Sequence, residues 1–189
     1  MTAQHRTARP LPGRGRLAPA RAAAIALVTM LAGLAGLPGP AAAQQEVVRD
    51  TYGAWNVRCA EGTETCVMQQ VGKGAEGNDV LEMRIRKIEG VNAPDGEAIP
   101  AAIQILAPLG VLLPAGVRVQ VDGNEVRSAP FEVCAAGGCV VRQPMSEAFL
   151  NEMKAGSTAK VTLIAAPQNE VVISISLSGF TRAFGNIDP

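Results

Sequence analysis

Apolar and polar residues alternate with a period of two over much of this chain. Val117, Val119 and Val121 are interleaved with Arg118, Gln120 and Asp122, the pattern of a strand with one buried and one wet face. Leu81, Met83 and Ile85 repeat it against Glu82, Arg84 and Arg86. Val161, Leu163 and Ala165 form another run, and Val171, Ile173, Ile175 and Leu177 alternate largely with Ser174, Ser176 and Ser178. Shorter strands are predicted from Gly53 to Cys59, with Trp55 and Val57 on one face, from Cys66 to Val71, and around Ile103 and Ile105.

Turn residues separate these runs. Asp122-Gly123-Asn124-Glu125 supplies the positive φ of a tight connection, and Pro167-Gln168-Asn169-Glu170 divides the last two long strands. The apolar stretch from Ala101 to Val121 is broken by Pro108, Gly110, Pro114 and Gly116, so it reads as strand, bend, strand. One helix is predicted. Ser146 caps it, Glu147 sits in the first turn, Phe149, Leu150 and Met153 form one apolar face, Lys154 suits the last turn, and Gly156 stops it. Many short strands with one connecting helix predict an all-β fold, an antiparallel, jelly-roll-like β-sandwich.

The first 43 residues have a different pattern. Five arginines precede the apolar run Ala22 to Leu37, Pro38-Gly39-Pro40 breaks it, and Ala41-Ala42-Ala43 offers a small-residue cleavage pattern. This predicts a signal peptide over residues 1–43, and one β-sandwich domain over residues 44–189. The apolar run has 16 residues, short of the roughly 20 that span a bilayer. The expected location is the periplasm, with outer-membrane association or secretion as further options and no stable membrane span after cleavage.

Cleavage changes the chemistry that remains. Five of the 17 Lys+Arg and none of the 17 Asp+Glu lie in the leader, so the formal charge falls from 0 to −5. A mildly acidic domain without a basic block does not suit nucleic acid. His5, the one histidine, also departs. The remaining domain cannot build a Ser-His-Asp or Cys-His site or a His-ligated metal centre. No catalytic, metal or cofactor site is expected. Ser-Lys chemistry with Lys73, Lys87, Lys154 or Lys160, and a carboxylate pair among Glu82, Asp122, Glu125 and Glu132, survive only as remote options.

The four cysteines form two close pairs. Cys59 and Cys66 enclose six residues, and Cys134 and Cys139 enclose four. Three connectivities are open to four cysteines. Local pairing is favoured because each pair straddles a plausible hairpin turn, with crossed pairing or free thiols as the alternatives. Neither spacing is Cys-x-x-Cys, so thiol redox catalysis is not indicated, and export favours disulfides over a four-cysteine zinc site.

Gly72-Lys73-Gly74-Ala75-Glu76-Gly77 fits G-x-G-x-x-G. A strand pattern follows it where a dinucleotide site needs a helix, so a flexible loop is expected. Asp122-x-Asn124 lacks the sixth-position glycine of a calcium loop, and Phe131-Glu132-Val133 reads as strand. Trp55, the single tryptophan, is expected in the core near the first cysteine pair, with a sugar-stacking or partner anchor as the alternative.

The order of these segments resembles the invasion-associated locus B family of exported alphaproteobacterial proteins. The resemblance is carried by Gly53-Ala54-Trp55-Asn56-Val57-Arg58-Cys59, Cys66-Val67-Met68-Gln69-Gln70, the Pro108 to Gly116 stretch, Val121-Asp122-Gly123, Phe131 to Cys134 with Cys139, Leu150, Gly156 and Ser176 to Phe180. It implies a small β domain of the periplasm or envelope without known enzymatic activity, and one member of the family is tied to host-cell entry. A non-catalytic domain binding a protein or envelope component is therefore the expected function, with a small-ligand or glycan-binding module as the alternative and a histidine-free hydrolase as a remote one.

Overall fold

The computed structural model describes residues 45–188; the leader assigned to residues 1–43 lies outside them. Eleven strands form two sheets. The larger begins as a meander of β1 (Glu46–Tyr52), β2 (Trp55–Ala60), β3 (Cys66–Lys73), β4 (Asp79–Lys87) and β5 (Ala101–Ala107). A single 3-10 turn, Leu113–Ala115, leads into the second sheet through β6 (Val117–Val121) and β7 (Arg127–Ala129). The chain then returns to the first sheet as β8 (Val133–Ala135) and β9 (Gly138–Met145). Helix α1 (Glu147–Ala155) follows, then β10 (Thr158–Ala165), β11 (Asn169–Ser176) and α2 (Phe180–Gly185). The strand orders are β1-β2-β3-β4-β5-β9-β8 and β11-β10-β6-β7, and each of the nine strand pairings is antiparallel. The chain forms the antiparallel sandwich that its alternation predicts.

Period two puts one set of side chains between the sheets. Val57, Met68, Met83, Ile85 and Ile105 from the larger sheet meet Val161, Leu163, Ile173 and Ile175 from the smaller one in a single apolar core. Where β11 crosses β3, Gly72 is required by close approach: a Cβ there would lie 2.5 Å from Ile173 Cγ2. The two sheets are also tied by polar bonds. The Gln70 side-chain amide donates to Ser176 O at 2.8 Å and accepts from Ser176 N at 2.9 Å, so it occupies the place of a neighbouring strand. Trp55 Nε1 donates to the same carbonyl at 3.0 Å. These bonds satisfy buried groups that would otherwise each cost about 1–3 kcal/mol.

Several local expectations change. Ser146 Oγ accepts from Phe149 N at 3.3 Å, but Gly156 ends α1 with φ −78. Its function is steric, because a Cβ there would meet Val121 Cγ1 at 2.5 Å. A second helix, α2, joins the one expected. Gly72 and Lys73 belong to β3, and the assumed loop is a turn closed by Gly74 N to Asn78 O at 2.9 Å. Phe131 and Glu132 precede β8 and are not strand residues.

Candidate functional site

The cysteines sit at directly opposed strand positions. Cys59 is bonded to Cys66 across β2–β3 and Cys134 to Cys139 across β8–β9, each closing one hairpin. Among the described residues no free cysteine remains. Trp55 is fully buried. Its aromatic partner is Phe180 of α2, edge-on at 5.2 Å between centroids, and Phe184 stacks behind Phe180 at 6.3 Å. The indole has no ring face open to a ligand.

The remote catalytic candidates are dispersed, some paired with other groups and some exposed. Glu82 pairs with Arg84 and Glu132 with Arg142. Asp122 accepts from Ser157 N and Thr158 N at 2.7 and 2.9 Å, and Glu125 is exposed on the β6–β7 connection. Lys87 and Lys154 hold Nζ over the Phe184 ring at 5.5 and 5.0 Å, Lys160 is exposed on β10, as is Lys73 at the end of β3. Among the described residues no group of three or more His, Cys, Asp or Glu side chains could hold a metal ion. None of their helices is long and apolar enough to cross a membrane.

The chemistry collects instead on the outer face of the larger sheet, away from the core. Strand register aligns Thr51, Asn56, Gln69, Arg84, Gln104 and Arg142 as successive cross-strand partners on β1, β2, β3, β4, β5 and β9. Near the middle of this polar row, Gln69 is only 8% exposed, and its Oε1 has no partner among the described residues. Arg84 Nη1 meets Glu46 Oε1 at 2.9 Å, and its Nε pairs with Glu82. Burial works against the charged Arg84, but hydrogen bonds and charge from Glu82 and Glu46 outweigh it and raise its pKa further. Arg142 bonds Glu132 at 2.8 Å and Gln104 Oε1 at 3.2 Å.

Beside this row lies a concavity of about 490 Å³. One wall is a hairpin arm over residues 88–100, closed by Ile88 N to Pro100 O at 3.0 Å and Ile99 N to Val91 O at 2.9 Å. The arm contributes Ile88, Val91 and Ile99, and Val67, Ala102 and Pro144 extend the apolar lining. Arg84, Arg86 and Arg142 bring three guanidinium groups to the rim against one carboxylate, Glu132. Arg84 and Arg142 are already paired. Arg86 is exposed and, among the described residues, makes no ion pair or hydrogen bond. Apolar walls with one uncompensated guanidinium suit a ligand that carries both apolar surface and negative charge.

A second cavity, about 230 Å³, opens between the sheets and is lined by Ile105, Val119, Val141 and Phe149 among others. Arg127 lies at its edge, 4.4 Å over the Phe149 ring and 2.6 Å from Glu152 Oε2. Sequence patterning placed Arg84 and Arg86 on a wet face but gave no sign of the concavity. That depends on β9 aligning Arg142 with them from 56 to 58 positions further along the chain.

A family model described as invasion associated locus B (IalB) protein matches residues 55–188. Invasion protein B of Bartonella bacilliformis is 26% identical over 140 residues, 71% of each chain. The crystal structure of invasion associated protein b from Bartonella henselae matches with a TM-score of 0.58 at 24% identity, over 72% of this chain and 92% of that one, and so shares the fold. With the match running from the first core strand to the end of the sandwich, the chain belongs to the invasion associated locus B family.

Proposed function

We propose that the protein is an exported, non-catalytic envelope domain that binds a partner through the arginine-rimmed concavity of its larger sheet. The observation that carries this reading is the concavity itself: apolar walls, three guanidinium groups at the rim, and Arg86 without an ion pair among the described residues. Two disulfides support an oxidising compartment, and the leader assigned to residues 1–43 supports export by cleavage before Gln44. The names of the two Bartonella relatives favour a link to invasion. The lack of histidine after residue 43 supports binding over catalysis.

The test is charge reversal at Arg86. Wild-type protein should retain a reproducible set of envelope components from its own host, and Arg86→Glu should lose them while remaining folded. Equal retention by both proteins would contradict the reading. A small amphiphilic anion is the second reading, favoured by a cavity volume typical of small-molecule sites. Buried Trp55 argues against glycan stacking on that ring.

A further inference from the structure

The two cavities flank one stretch of β9. On one side β9 pairs with β5 from Cys139 to Met145. On the other, β8 reaches only Gly138 to Val140, and beyond that point no described strand pairs with β9, although β7 of the smaller sheet lies near it across the inter-sheet cavity. Glu132 N donates to Val140 O at 2.9 Å, so Val140 directs its backbone groups away from β5. The alternation of an antiparallel ladder gives Arg142 and Pro144 the same direction. Both residues are exposed, and neither the Arg142 N–H nor the Arg142 and Pro144 carbonyls have a partner in the turn and loop bonds of the described residues. The missing N–H of Pro144 therefore falls on the open edge, where a proline costs the sheet nothing. Ile103, Gln143 and Pro144 line both cavities, which places the charged concavity on one face of this edge and the apolar one on the other.

We propose that a short extended segment of a partner protein adds to β9 at this edge, alternating acidic and apolar side chains. The inference rests on the concavity being the binding site and specifies what enters it. The edge offers one donor, Arg142 N–H, and two acceptors, the Arg142 and Pro144 carbonyls, enough for a few residues of antiparallel pairing. Successive side chains of an extended segment point to opposite faces. Those on the outer face meet Arg142 and the uncompensated Arg86; those on the inner face reach the mouth of the inter-sheet cavity. This is strand addition, in which main-chain bonds supply affinity and alternate pockets supply selectivity. Two other edges are interrupted at one point each: β1 has an irregular register between Val48 and Asp50, and the Ser176 end of β11 is filled by the Gln70 amide. At β9 the proline limits pairing to a short stretch.

The probe is an acetylated, amidated hexapeptide of alternating glutamate and leucine, compared with one of alternating lysine and leucine. Amide-resolved NMR of the full domain should show saturable binding of the glutamate peptide with a Kd below about 1 mM. Exchange of the Arg142 amide should slow at least about tenfold as it becomes hydrogen bonded. Arg142→Pro removes that donor at an edge position and should abolish binding. Should that variant fail to fold, amide protection in the wild type still decides. Equal binding of the lysine peptide, no saturable binding, or an unprotected Arg142 amide overturns strand addition, as does laurate binding without any peptide binding. If those failures occur while Arg86→Glu still abolishes retention of envelope components, only strand addition is lost. If retention survives Arg86→Glu, the concavity reading falls with it.

Discussion

The two faces of the larger sheet are built from the same strands and carry opposite chemistry. Its inner face carries Trp55, Val57, Met68, Met83 and Ile85, all fully buried, and its polar groups are satisfied by Gln70 and Trp55 meeting the Ser176 peptide. Its outer face carries Arg84, Arg86, Gln104 and Arg142 along a concavity walled on one side by the 88–100 arm. Apolar burial at roughly 25 cal/mol per Å² makes the inner face the seat of stability. Exposed ion pairs such as Arg142–Glu132 contribute little to it. A row of guanidinium groups across β4 and β9 is therefore poorly explained by folding alone, which is why the outer face is the stronger candidate for binding.

The largest expected effect is on the inner face. Trp55→Ala should destabilise the domain by about 3–5 kcal/mol in a urea titration followed by far-UV circular dichroism. A loss below about 1 kcal/mol would mean that the Trp55–Phe180 contact does not organise the core.

The disulfides sharpen the contrast. Chain-entropy arithmetic gives the two short loops similar values, roughly 2–2.5 kcal/mol each. Their surroundings differ, because Cys59 and Cys66 are both buried, whereas Cys134 is exposed on a three-residue edge strand. Cys59→Ser should cost about 2–5 kcal/mol, more than Cys134→Ser in the same titration. The reverse order would show that the edge hairpin, not the core hairpin, limits unfolding.

Gln70→Ala should cost less, about 1–3 kcal/mol, because it orphans Ser176 N–H while Trp55 still bonds the carbonyl. Calorimetric unfolding of the variant checks this, and an unchanged midpoint would mean that water replaces the amide. Smallest of all should be Arg86→Glu, within about 0.5 kcal/mol of wild type.

The inner face was also the legible one. Leu81, Met83 and Ile85, like Val117, Val119 and Val121, declare their strands because burial on one side imposes a period of two. The helix after Ser146 was readable from its cap and apolar face. By contrast, β9 was hidden by Arg142, Gln143 and Pro144, which break the alternation at an edge where a proline is harmless. Helix α2 has no side-chain cap at Gly179, so nothing local announced it, and with it the partner of Trp55 went unseen. The concavity is a product of register. Arg84, Gln104 and Arg142 become neighbours only through the pairings of β4, β5 and β9, which no local pattern encodes.

If the outer face binds while the inner face holds the fold, binding and stability separate in a single variant. Retention of envelope components and the unfolding midpoint, measured on one preparation of Arg86→Glu beside wild type, test this directly. The expected result is a midpoint matching wild type with retention lost. Retention at the wild-type level, in a protein equally stable, would contradict it.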